Sequence, residues 1–325
     1  MTARAFTRAE LDALATPPAE QFAASVAAGD ADQTLALFDR LERSYRNFVD
    51  GFDAFAAAIH EWTVTTHGFD ALTLLLRAER TTTTIDAARR GLTEEHMHDV
   101  VSPGRWRDAL RSRLDEGDHS GALEIFDRLE SSMRIVHDNA CVRAVAALSH
   151  VYRTLGVEGV ESSIRLAGER TLLNFMPYDL ARSAEERIKH WSRMMLGNFA
   201  LITVDELDDR FVITQDPCGT CTRQVIDGCY APPVDLAVVT EKCPLTFGQG
   251  DMPVYRTHVA VMHYLQAIER RGVPWPAIEC PAGVDAGPCR VTIYKDPSAT
   301  PARWADRVAT GKGPSGLRQS ADFDA

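Results

Sequence analysis

Apolar residues recur at helical spacing through the first 200 positions and at strand spacing after them. Leu35, Phe38, Leu41, Tyr45 and Phe48 lie three or four apart, as do Leu123, Phe126, Leu129, Met133 and Val136, so each run presents one apolar stripe to a partner helix. A second helix is expected after each stripe, Phe52 to Thr66 and Cys141 to Leu155, with Gly68 and Gly156 suited to cap them. Around Gly197 the period shifts from near four to near two. Ala200 to Val204 and Arg210 to Thr214 are β-rich runs joined by the acidic turn 205–209, which predicts a hairpin. Asp251 is placed to cap a helix that tolerates Pro253 in its first turn and runs to Arg271 before Gly272. Ala277 to Cys280 and Pro288 to Tyr294 read as short strands.

The helical part contains an internal echo. Gly29-Asp30 followed by Leu35-Ala-Leu-Phe38-Asp39-Arg40-Leu41-Glu42 returns 88 positions later as Gly117-Asp118 and Leu123-Glu-Ile-Phe126-Asp127-Arg128-Leu129-Glu130. Two copies of one helical module, packed as antiparallel helices, are the economical explanation. The fold class predicted is therefore α+β: duplicated N-terminal α-helical modules followed by a small ββαββ Cys-rich metal-binding domain. The expected divisions are 1–110 and 111–197 for the two helical repeats, 198–297 for the Cys/His-rich domain, and 298–325 for a largely irregular tail. That tail holds Trp304 and the run Gly311-Lys-Gly-Pro-Ser-Gly316, which lacks the ending and following helix of a phosphate loop.

Composition narrows the functional classes. The 325 residues carry a formal net charge of −11, and no stripe of Lys, Arg and aromatic residues is present, so nucleic acid is not an expected partner. No window reaches the roughly 18 apolar residues of a membrane span, and Met1 to Glu20 lacks the apolar stretch of a leader, which makes a cytoplasmic protein the expectation. In that compartment clustered thiols are more often metal ligands or redox groups than disulfides.

Six of the seven cysteines fall between Cys218 and Cys289: the pair Cys218-Gly219-Thr220-Cys221, then Cys229, Cys243, Cys280 and Cys289, with His258 among them. A CxxC pair sets two thiolates on one ion, and distant Cys or His residues complete a tetrahedral site, with zinc the default metal. Cys218, Cys221, Cys243 and His258 make one such set, in which Cys280 or Cys289 can replace Cys221 or Cys243. His258 and His263 are five apart, about 140° around a regular helix, so one metal does not take both. No HExxH pair is present. The plain alternative is a set of small buried residues, since free cysteine is among the most buried types. Cys218 or Cys243 beside His258 could also serve as a nucleophile. Tyr255, Arg256 and Tyr264 flank His258 as candidate walls of a pocket for an anionic substrate, and Arg290 and Arg223, each close to a cysteine in sequence, could hold a carboxylate; Tyr255, Arg256 and Arg290 are the candidate catalytic residues. Glu94-Glu95-His96-Met97-His98 reads as solvated surface.

Three segments resemble an uncharacterised bacterial family: Ala200 to Gly219 with its Asp216-Pro-Cys-Gly219 ending, Met252 to His258, and Gly287 to Pro297 with Cys289-Arg-Val-Thr-Ile-Tyr-Lys-Asp-Pro297. The family pattern is an acidic hairpin ending in DPCG, a YCxHC segment and a CRW-x-IYKDP strand. The resemblance implies Cys218, His258 and Cys289 as shared ligands. Here Arg256 and Val259 replace the two cysteines around the histidine, and Cys221 replaces a small residue. A fainter likeness, in layout and Cys placement, to the aminothiazoline-carboxylate hydrolase-like and vinyl-reductase-like domains implies a small-molecule role. The function expected is thus a zinc-binding metalloenzyme, a hydrolase or lyase acting on a small polar metabolite in the biosynthesis of a small molecule, with its site where the second repeat meets the Cys-rich domain. Two alternatives are a non-enzymatic helical-repeat scaffold with a structural zinc, and a cysteine-nucleophile hydrolase. A homodimer is left open.

Overall fold

Two helical hairpins form the first half of the chain. In the computed structural model, which describes residues 4–309, α1 (Arg8–Ala15) and α2 (Pro18–Ala28) lead into α3 (Ala31–Arg90). α4 (Glu94–Val101) and α5 (Pro103–Asp115) then connect it to α6 (His119–Arg170). Each long helix holds one glycine outside helical geometry, Gly68 at φ 84, ψ 179 and Gly156 at φ 65, ψ −161. That region is nearly closed to residues bearing a Cβ, and at both glycines the helix turns back along itself. His60 Nε2 and Glu79 Oε2 are 2.5 Å apart across the first bend, whereas 19 residues of straight helix would separate them by about 28 Å.

The expected break before Phe52 does not occur. Phe52, Phe55, Ala56 and Ile59 continue the buried stripe of Tyr45 and Val49 without interruption, so one helix runs through to residue 67. Likewise Cys141 lies inside α6. The antiparallel partner of each outgoing arm is the arm that follows the glycine, not a helix that precedes it. The outgoing arms run side by side in the same direction: Tyr45 donates to Glu130 at 2.5 Å, Phe52 packs edge-on against His137 at 5.2 Å, and Asp53 pairs with Arg143. The return arm of α3 lies on α6, where Asn139 Nδ2 donates to Thr83 O and Asp86 Oδ2, both at 3.1 Å. Both hairpins start alike, with Asp30 and Asp118 accepting from the backbone N–H three residues on.

After α7 (Met176–Leu180) and α8 (Ala184–Gly197) the chain enters a four-stranded antiparallel sheet. Its strands are β1 (Ile202–Glu206), β2 (Arg210–Gln215), β5 (Ala277–Glu279) and β6 (Cys289–Tyr294), in the order β1-β2-β6-β5. Between β2 and β5 come α9 (Cys221–Ile226) and a two-residue ladder of β3 (Val238–Val239) with β4 (Met252–Pro253). The α+β layout holds, with more elements in the C-terminal part than the ββαββ outline contains.

The helix expected from Asp251 to Arg271 is not regular. Asp251 sits at φ 55 and so cannot act as an N-cap in extended geometry, and Pro253 pairs with Val238 in the ladder. A 3₁₀ turn (Val254–Arg256), a π-helix (Val259–Leu265) and finally α10 (Gln266–Arg271), stopped by Gly272 at φ 75, take its place.

One apolar core joins the long helices to Cys218, Cys221, Tyr255 and Cys289. A second joins α8, the sheet and the π-helix around Trp191, Tyr264, Trp275, Ile293 and Trp304. No helix among the described residues is long and apolar enough to cross a membrane. The glycine-rich part of the predicted tail, 311–316, lies outside the described residues.

Candidate metal centre

Three buried thiols converge at the seam between the helical hairpins and the sheet. The Sγ atoms of Cys218, Cys221 and Cys289 all lie within 4.8 Å of one another, and those of Cys218 and Cys221 are 3.3 Å apart. Four ligands at 2.3 Å around a tetrahedral ion are separated by about 3.8 Å, so the group has the dimensions of a mononuclear site and can hold a metal ion.

Each thiol is placed by local structure. Past β2 the chain folds tightly under α8: a Cβ on Gly219 would lie 1.4 Å from the carbonyl oxygen of Asn198, so only glycine fits between the two cysteines there. Thr222 N then donates to Cys218 Sγ at 3.1 Å as α9 begins. Cys289 opens β6 opposite Gln215, the last residue of β2, which brings it beside Cys218. Cys280 follows Glu279, whose ladder partner is Arg290, so pairing of β5 with β6 carries Cys280 alongside Cys289.

Cys280 lies beside the group without belonging to it, its Sγ not being among the three that lie within 4.8 Å of one another. It donates toward Cys221 and accepts from Cys289, and the hydrogen bond to Cys221 pushes its own pKa well above the usual thiol value. Cys218 is raised too, first by its hydrogen bond to Cys221. Cys289 is raised well above its ordinary value by hydrogen bonds shared with Cys218, Cys221 and Cys280. Cys221 goes the other way: hydrogen bonds from Cys218, Cys280 and Cys289 hold it well below the ordinary range, and the charge of Arg256 adds to this. Three of the four are buried, and Cys280 is partly exposed.

Arg256 is fully buried against these thiols. Its guanidinium donates to the backbone carbonyls of Pro281 at 3.1 Å, Gly283 at 2.6 Å and Asp285, clamping the loop that separates Cys280 from Cys289. Burial works against its charge, and Cys221, Cys280 and Cys289 outweigh burial and push its pKa up. Among the described residues no carboxylate forms an ion pair with it, and its Nε has no hydrogen-bond partner.

The remaining sequence-predicted residues are distributed around this group. Neither His258 nor Cys243 has its ligand atom in the three-thiol group. Cys243 sits at a 3₁₀ turn, where its N–H donates to Thr246 Oγ1 at 3.0 Å. His258 donates Nδ1–H to Tyr255 O and stacks on the Tyr255 ring at 4.4 Å; burial lowers its pKa, with Cys221 acting in the opposite sense. Arg290 is exposed, because residues alternate along β6 and Cys289 takes the inward position. Tyr255 is buried against Phe52 and Phe55, and burial, with Cys141 and Cys221 behind it, pushes its hydroxyl well above the ordinary range.

The separation of His258 from His263 needs correcting. Their rings meet edge to face with centroids 6.0 Å apart, because the intervening turn is π-helical and residues five apart share a face where hydrogen bonds run i to i+5. His263 donates Nδ1–H to Trp275 O at 2.8 Å, and burial, then His258, depresses its pKa to about 3.

One residue near the site carries no signal in the sequence, and another, Arg256, is a candidate there for a different role. Cys141, the one cysteine outside the cluster in sequence, accepts from Gln224 Nε2 at 3.2 Å and lies behind the thiols; a lone cysteine inside a helical stripe carries no signal for that. The role of Arg256 as a buried partner of thiols was hidden because a lone arginine normally reads as solvated. Comparison with protein-family models, curated proteins and solved structures returned no match.

Proposed function

We propose that this chain is a zinc-dependent enzyme acting on a small polar metabolite by metal-assisted hydrolysis or elimination. The observation that carries this reading is the buried Arg256, whose neighbours are thiols and backbone carbonyls. A guanidinium withdrawn from water requires an anion. Three thiolates around a divalent ion carry one net negative charge, which one guanidinium cancels, and the fourth position then goes to a neutral or exchangeable ligand. That pattern is closer to a working zinc site than to a closed one.

Zinc suits thiolates at these separations and supplies Lewis acidity when bound. Cys218, Cys221 and Cys289 would hold it, with Arg256 balancing charge and fixing the loop beyond Cys280. His258, its Nδ1–H committed to Tyr255 O, keeps Nε2 as an acceptor and is partly exposed, so it is the group suited to take up a proton from a bound molecule. The matched bends at Gly68 and Gly156 support the two-copy reading of the helical platform, which we carry as part of the proposal.

The proximity of Cys280 favours a second reading, a closed four-thiolate zinc that only holds a scaffold together. Chelation separates the two. Purified protein should contain one zinc per chain, and stripping it should leave the far-UV circular dichroism and melting temperature close to the starting values while abolishing turnover in a metabolite screen. Unfolding of the C-terminal part on stripping supports the scaffold instead. The charge argument fails if Arg256→Met retains zinc as tightly as the unaltered chain.

A further inference from the structure

Cys280 differs from its three neighbours in two ways that bear on ligand exchange. It alone keeps solvent exposure, and it lies one residue beyond the end of β5, at the start of the loop clamped by Arg256. Cys289 is locked in the β6 ladder against Gln215, Cys221 opens α9, and Cys218 accepts from the N–H of Thr222. A fourth thiolate would also add a second negative charge against the single guanidinium of Arg256, so it is the weakest-held of the four.

Building on the zinc reading above, we propose that Cys280 is a displaceable cap: it occupies the fourth position of the metal at rest and yields it to a small thiol entering from solvent. An incoming thiol matches both the softness and the charge of the group it replaces. The exchange is balanced, since the metal–Cys280 bond breaks, a metal–sulfur bond to the incoming thiol forms, and the proton of that thiol passes to the departing Cys280 sulfur. The net charge facing Arg256 is unchanged.

Cobalt(II)-substituted protein tests this, because its sulfur-to-metal charge-transfer absorption scales with the number of bound thiolates. Cys280→Ser should keep one metal per chain with that absorption reduced by about a quarter, as expected when one of four thiolates leaves a tetrahedral site, and 2-mercaptoethanol should restore it. Cys218→Ser, Cys221→Ser and Cys289→Ser should lose the metal. If Cys280→Ser loses metal as fully as Cys289→Ser, Cys280 is a fixed structural ligand; if its absorption is unchanged, Cys280 never binds. Either result overturns the cap and leaves the zinc reading standing, whereas failure of the unaltered protein to take up any metal overturns both. Should the variant fold poorly, iodoacetamide on the unaltered metal-loaded protein decides: alkylation mapped to Cys280 first, with metal retained, supports the cap, and metal loss with the first alkylation sinks it.

Discussion

The helical half and the Cys-rich half of this molecule are held together by different means. In the hairpins, neighbours in space follow from apolar periodicity: Phe22 stacks on Phe126 at 4.3 Å and Leu35, Phe38, Leu129 and Met133 are almost completely buried. In the C-terminal half the strands are short, two of them of only two residues, and the groups that meet at the seam are thiols, a guanidinium and backbone carbonyls. The first half distributes its stability over many interchangeable contacts. The second concentrates it on a few residues whose chemistry cannot be exchanged.

The largest effect expected from this contrast is at Cys289. Cys289→Ser should abolish metal binding and, because it buries a hydroxyl at a fully packed position, loosen the C-terminal half beyond what stripping the metal alone does, while the helical signal in far-UV circular dichroism persists; elemental analysis and limited proteolysis with fragment mapping, on the variant and on stripped unaltered protein, read the two parts separately. If the whole chain unfolds together, the halves are not distinct in stability. The counterpart in the hairpins is Phe126→Ala, where loss of a fully buried ring should cost about 3–5 kcal/mol, measured by urea unfolding, with metal content unchanged in the protein that remains folded.

How much of this was legible in the sequence follows the same division. The stripes of Leu35 to Phe48 and Leu123 to Val136 announced helices because every residue of a stripe lies within a few positions of the next. They could not announce that each helix continues through residues 52 and 141, since a stripe carries no mark of where the chain reverses; the glycines mark it, but a glycine that reverses a helix and one that only caps it look the same in sequence. At the seam, the CxxC pair pointed to Cys218 and Cys221 because its ligands are local. Choosing among Cys243, Cys280, Cys289 and His258 depended on the β5–β6 register and on the π-helix, both fixed by tertiary packing. A period of 3.6 residues per turn sets His263 apart from His258, and the π-helical backbone there does not keep that period.

His263 offers a smaller test of the Cys-rich half. Its pKa, lowered by burial to about 3 against an ordinary 6.5, means that the unfolded chain binds a proton below about pH 6.5 that the native chain refuses until about pH 3. The unfolded state therefore binds more protons across that window, and stability is lost as the pH falls through it. Between about pH 6 and pH 4 this residue should remove about 2–3 kcal/mol. His263→Gln should flatten the pH dependence of the urea midpoint by that share relative to the unaltered protein; equal slopes would mean that His263 titrates normally.

The smallest effects test whether the hairpin bends belong to the glycines themselves. Gly68, at φ 84, ψ 179, and Gly51, inside the outgoing arm of α3, both have room for a methyl group, with no heavy atom within 4 Å of a built Cβ. Space therefore cannot distinguish them, and backbone conformation alone must. Gly68→Ala should destabilise by about 1–3 kcal/mol because alanine has no minimum at those angles. Gly51→Ala should stabilise by about 0.5–1 kcal/mol because alanine loses less chain entropy in a helix. Paired thermal melts of the two variants give the sign directly. If both shift the same way, the reversal at residue 68 is imposed by the packing of the arms, and the helical half is less locally determined than its periodicity suggests.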